Sequence, residues 1–105
     1  MVTMLKIQTL EDEIALGYKP DKINLFGSYA NGTPSSESDI DLFIVKNTDV
    51  RKIHRSIEVR EMISDYFAPM DIIVYTPKEL EKAMTIVHNI GKIATNTGKL
   101  MYERV

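Results

Sequence analysis

The sequence predicts an α/β protein: a layered sheet with helices packed against it. Two observations carry that class. Short apolar runs of strand character recur at residues 22–26, 40–45 and 70–75. The stretches between them have helical spacing or helix-capping residues, and strands that alternate with helices make an α/β layer arrangement. At 105 residues the chain suits one domain, 1–105, with a modest core.

The elements follow in order. Residues 8–18 place Leu10, Ile14 and Leu16 among acids, a short helix that ends at Gly17 and Tyr18. Lys19-Pro20-Asp21 turns the chain into the first strand, 22–26, which stops at Gly27-Ser28. A brief helical turn follows, broken at Gly32-Thr33-Pro34, and a polar loop through Ser35-Ser36-Glu37-Ser38 leads to the second strand, 40–45. Thr48 or Asp49 offers a side-chain oxygen to cap a helix over roughly 50–66. Residues 70–75 form the third strand. Thr76 then caps a helix with Pro77 at its first position, running through Met84. Ile86, Val87, Ile90, Ile93 and Ala94 continue a helical period up to Gly98, and Leu100-Met101-Tyr102 closes the chain as a short strand.

The helix at 50–66 has two apolar arcs. At about 100° per residue, Val50, Ile53, Ile57 and Ile63 share one side, and Val59, Met62 and Tyr66 fall nearly opposite. A helix held between the sheet and a neighbouring helix explains both arcs. The other reading is that Val59, Met62 and Tyr66 face a partner protein.

The chemistry concentrates in INLFGSYANGTPSSESDIDLFIV. A small-residue turn after a strand lets backbone approach a ligand closely, and free N–H groups at a helix start suit phosphate oxygens. That points to Gly27 and Ser28. After Ser28 and ten intervening residues come Asp39 and Asp41, two apart on a strand, so both carboxylates leave the same face. Two adjacent carboxylates repel unless a cation lies between them. Oxygen donors of this kind suit Mg²⁺, which keeps its remaining positions for water and substrate phosphates. Asp71 is the third acid. It stands among apolar Met70, Ile72, Ile73 and Val74, where an unpaired charge is costly, so it must find a partner or point into a site. All three acids converge if its strand lies beside that of Asp41.

Other features carry less. The formal net charge of −2 disfavours a general nucleic-acid binder. No cysteine is present, which excludes disulfides and thiolate metal sites. No run approaches a membrane span or a signal-peptide core, so a cytoplasmic protein is expected. His54 and His88 have no companions at metal-ligand spacing. Arg51, Lys52 and Arg55 read as a solvated cationic face or a steering patch, and Tyr29 either touches a ligand or packs on the first helix.

Gly-Ser, ten residues, Asp-x-Asp and a lone Asp in a later strand together resemble the nucleotidyltransferase superfamily related to DNA polymerase beta. With the shortness of the chain, the pattern is similar to the minimal nucleotidyltransferases that act as antitoxins in HEPN/MNT toxin–antitoxin pairs. The likeness runs through LFGS, Gly32, SDIDL, MDII, TPKEL and GKLMYER. One departure is Asn31, where family members often carry a basic residue before the second glycine. The resemblance implies a small mixed β-sheet with flanking helices, the polymerase beta-like nucleotidyltransferase fold. It implies Gly27, Ser28 and Ser38 at the nucleotide, with Ser38 more at home orienting its loop. It implies catalytic and metal roles for Asp39, Asp41 and Asp71, with two Mg²⁺ ions and ATP as substrate. The acceptor it implies is a tyrosine hydroxyl on a HEPN-type toxin, modified with AMP. The alternatives are an antitoxin that neutralises by binding alone and a small-molecule, aminoglycoside-type transferase, for which a single short domain lacks an acceptor pocket unless a homo-oligomer builds one.

Overall fold

In the computed structural model, which describes residues 2–35 and 38–104, each of the three apolar runs is a strand. Ser36 and Glu37 of the polar loop lie outside the described residues. Helix α1 (Met4–Tyr18) is capped by Thr3, whose hydroxyl accepts from Lys6 N–H, and so begins four residues earlier than the apolar spacing marks. Strand β1 (Lys22–Phe26) leads into the short helix α2 (Ser28–Asn31), and strand β2 (Ile40–Val45) into helix α3 (Lys52–Met62). Strand β3 (Met70–Tyr75) is followed by α4 (Pro77–Ala83), α5 (Ile90–Thr97) and strand β4 (Lys99–Glu103). Helix α4 starts with a full capping box: Thr76 Oγ1 accepts from Glu79 N–H while the Glu79 carboxylate accepts from Thr76 N–H.

The sheet is mixed, in the order β3-β2-β1-β4. β1 runs antiparallel to both β2 and β4, and β2 runs parallel to β3. Only that parallel pair needs a crossover, and α3 supplies it. One face of the sheet packs Ile23, Leu25, Ile40, Leu42, Ile44, Ile72 and Val74 against Ile7, Leu10 and Ile14 of α1 and Val59 of α3. The opposite face packs Phe26, Phe43, Val45 and Tyr75 against Ala83 of α4 and Ala94 of α5. Leu80 of α4 and Ile73 of β3 pack against the same cluster. Phe43 and Tyr75 meet edge to face at 5.0 Å there, and Asn24 Nδ2 donates to Ala94 O at 3.3 Å. No helix among the described residues is long and apolar enough to cross a membrane.

Several sequence expectations change. Helix α3 is shorter than 50–66, and Thr48 does not cap it: its hydroxyl accepts from Val50 N–H, two residues on. Its inward face carries Arg55 and Val59, with Met62 packed beside them, so neither Val59 nor Met62 is free for a partner. Ile53 and Ile57 are exposed instead, at 66% and 50%. The reason is Arg55. Its guanidinium enters the interior because acceptors wait there: Val50 O at 2.8 Å, Val74 O at 3.3 Å and Glu79 Oε1 at 2.6 Å. It therefore leaves the solvated patch with Arg51 and Lys52. Leu16 is also exposed, and Ile86 and Val87 lie in the turn between α4 and α5 rather than on a continuous helix.

Glu11 is buried in α1 at 3% exposure, with Gln8 Nε2 3.5 Å from its carboxylate. Burial pushes its pKa up to about 7, and the adjacent Asp12 adds to the rise. The unfolded chain loses this proton near the ordinary glutamate value. Stability from this group is thus complete below that value and is lost as the pH rises to about 7. We expect Glu11→Gln to flatten this loss. The variant should gain stability over wild type by on the order of 3 kcal/mol at pH 8, measured by urea unfolding, and by little at pH 4.5.

Candidate active site

Phe26 is paired with Asp41, so the end of β1 and the start of β2 bring the Gly-Ser turn against the acidic strand. At Gly27 the backbone has φ 74° and ψ −155°, a conformation open essentially to glycine alone. Space demands the same residue, since a Cβ there would collide with Asp41 Oδ2. At Gly27 backbone and carboxylate are thereby forced together. Helix α2 springs from it with no side-chain cap. Ala30 and Asn31 return their N–H groups to Gly27 O at 3.1 Å, which leaves the N–H groups of the first residues outside the helix's own bonding. Gly32, also at φ 74°, ends the turn.

The parallel register pairs Asp41 with Asp71. Cross-strand partners project to the same face, here the face of Phe43 and Tyr75 that α4 and α5 cover. The two acids sit one pleat beyond Phe43 and Ile73 in each strand. Asp71 is exposed and Asp41 half-buried. Asp39 precedes the first residue of β2 and is exposed. Burial pushes the Asp41 pKa up to about 6, and the neighbouring carboxylates of Asp71 and then Asp39 push in the same direction.

Among the described residues no three histidine, cysteine, aspartate or glutamate side chains are gathered closely enough to enclose a metal ion. The donor set nonetheless fits a hard cation. It is all oxygen, it carries mutual repulsion that a cation relieves, and it faces an open side from which water and phosphate oxygens can complete the coordination that magnesium prefers.

The remaining residues fall into place. Ser28 opens α2 beside Gly27. Ser38 works within its loop: its hydroxyl accepts from Ser35 N–H at 2.8 Å. Tyr29 is buried in the core cluster with Ile7, Leu10 and Ile14, the packing alternative for this residue. Both His54 and His88 are exposed. Sequence reasoning missed Arg60, whose guanidinium reaches Met70 O at 2.9 Å, immediately before Asp71. No signal in the chain pointed to it, because only the crossover geometry brings the end of α3 to the start of β3.

Comparison with known proteins agrees with the fold. A protein from Sulfolobus solfataricus assigned as a nucleotidyltransferase superposes with a TM-score of 0.63 at 24% identity, covering 96% of this chain and 81% of that one. A toxin–antitoxin structure with AMP-PNP gives a TM-score of 0.60 at 26% identity, covering 98% of this chain and 75% of that one. A mutant of the MntA–HpeT toxin–antitoxin pair, with two aspartates changed to glutamate, gives 0.56 at 22% identity, covering 98% and 75%. No curated protein sequence matches the chain significantly. The family model described as polymerase beta, nucleotidyltransferase, matches residues 8–104. With nearly its whole length matched, the chain belongs to the polymerase beta nucleotidyltransferase family.

Proposed function

We propose that this protein is a magnesium-dependent nucleotidyltransferase that transfers AMP from ATP to a hydroxyl, a tyrosine's, on a HEPN-type toxin, and so acts as an antitoxin. The observation that carries the reading is the contact between a glycine-only turn and a carboxylate that stands beside a second carboxylate across a parallel pair. Family membership supports nucleotidyl transfer in general. Two of the structural relatives are toxin–antitoxin assemblies, one of them with an ATP analogue, which supports a toxin partner and a nucleotide substrate.

In this reading Gly27 N–H and the Ser28 hydroxyl hold phosphate oxygens of ATP. Asp39, Asp41 and Asp71 hold two magnesium ions. When bound, the metal neutralises phosphate charge and stabilises the attacking and leaving oxygens together. The acceptor hydroxyl attacks the α-phosphorus: a new O–P bond forms, the bond to the β-phosphate breaks, and pyrophosphate leaves. Asp71, on the exposed edge of the site, orients the hydroxyl and accepts its proton. Asp41 is aligned by β2 and by the absence of a side chain at Gly27. Such a reaction rests on positioning and charge neutralisation more than on an elaborate pocket, which suits a small domain.

The direct test incubates the protein with the cognate toxin, labelled ATP and Mg²⁺. Label on the toxin is expected, with Asp39→Asn reducing transfer by at least about 100-fold. Absence of transfer to a verified partner, with Asp39→Asn indistinguishable from wild type, sinks the reading. Protection from the toxin by an Asp39→Ala/Asp41→Ala double variant would instead favour neutralisation by binding alone.

Asp41→Asn carries a second expectation, of opposite sign. Since the folded state disfavours the ionised carboxylate above pH 6, the amide should raise the Tm of the metal-free protein at pH 7.5 by a few degrees. The gain should vanish below pH 4, and transfer should be lost throughout. Gly27→Ala should lower both activity and stability, the latter by about 1–3 kcal/mol, because backbone strain and the Asp41 collision act together.

A further inference from the structure

β3 is an edge strand, and its unpaired side follows from the ladder. Ile40 N–H donates to Pro69 O and Lys46 N–H donates to Tyr75 O, each at 2.9 Å. Because backbone groups alternate sides along a strand, the carbonyls of residues 69, 71, 73 and 75 face β2. Those of Met70, Ile72 and Val74 face the open edge. Two of these three are taken by arginines from α3: Met70 O accepts from Arg60 Nη2 at 2.9 Å, and Val74 O from Arg55 Nη1 at 3.3 Å. The helix runs opposite to β3, so its two long side chains reach the two ends of the strand.

The two ends differ. At the far end Arg55 is buried and ion-paired to Glu79, a staple between α3 and α4. At the catalytic end Arg60 holds Met70 O through one nitrogen and Tyr66 Oη through another, at 3.0 Å. It thus grips both the first residue of β3 and the loop that feeds it. The next residue is Asp71, paired with Asp41 across the parallel ladder. At this end the edge strand has no second neighbouring strand to hold it.

We propose that Arg60 is a positioning residue for Asp71: by clamping the outer carbonyl of Met70 it holds the start of β3 against β2 and fixes Asp71 beside Asp41. The catalytic consequence rests on the transfer reading above, whereas the positioning itself does not.

The test compares Arg60→Gln, Arg60→Lys and Arg55→Gln in the full chain, first by amide hydrogen exchange. Arg60→Gln should speed exchange at the Asp71 amide, which faces β2, by about tenfold or more. The Ile73 and Tyr75 amides should be unchanged. Arg60→Lys, which keeps a cationic donor, should recover part of the protection, and Arg55→Gln should act at the opposite end of the strand. In the transfer assay Arg60→Gln should lower kcat about 10- to 100-fold, with KM for ATP within about twofold. It should cost nothing further in an Asp71→Asn background. Unchanged exchange at Asp71, a uniform increase along β3, or a full additional loss in Asp71→Asn would each overturn the proposal. If wild type transfers no label, the transfer reading fails while exchange still decides the role of Arg60.

Discussion

The parallel register of β2 and β3 is the constraint on which the rest of this structure depends. It sets Asp41 directly beside Asp71, two like charges at the end of an otherwise apolar pair of strands. Burial of Asp41 pushes its pKa up, and the Asp71 carboxylate beside it adds to the rise. The pair persists because the strands continue inward as Leu42, Phe43, Ile44 and Val45 beside Ile72, Ile73, Val74 and Tyr75. Those residues are packed from both faces, so the apolar register carries the acids with it.

The two faces contribute differently. α1 and α3 bury long aliphatic side chains against one side and supply most of the core. α4 and α5 cover the other with Ala83, Leu80 and Ala94, over Phe43, Tyr75 and Asn24. A site open on one side and anchored on the other results. Gly27 completes it: any side chain there would occupy the space of the Asp41 carboxylate. The interactions that hold β3 at its outer edge come from arginines, which reach backbone carbonyls that no strand covers. Local instability among the acids is thus borne by the surrounding packing, an arrangement expected where repulsion serves a site.

Much of this was legible in the chain. The three strand runs, the Gly-Ser stop, the Thr76-Pro77 helix start and the Asp-x-Asp pair are local signals, set by steric limits and hydrogen-bond competition within a few residues. The faces of α3 were not legible. Its two apolar arcs are nearly balanced, and what turns Val59 inward rather than Ile53 and Ile57 is Arg55, whose acceptors Val74 O and Glu79 come from later elements. The α4–α5 region misled for a similar reason: Ile86 and Val87 keep a helical period but lie in a turn, exposed.

The sequence by itself determined the α/β class, the positions of the strands, and the residue types of a Gly-Ser turn and an acidic strand at a diagnostic spacing. These depend on short-range geometry, which each segment carries wherever it is placed. Only the tertiary structure decided that β3 pairs with β2 in parallel, that Asp71 meets Asp41, and that Gly27 touches the Asp41 carboxylate. It alone decided that Arg60 holds the outer edge of β3. The physical reason is that strand pairing and side-chain burial are long-range contacts between segments, and no spacing along the chain specifies which edge a strand will join.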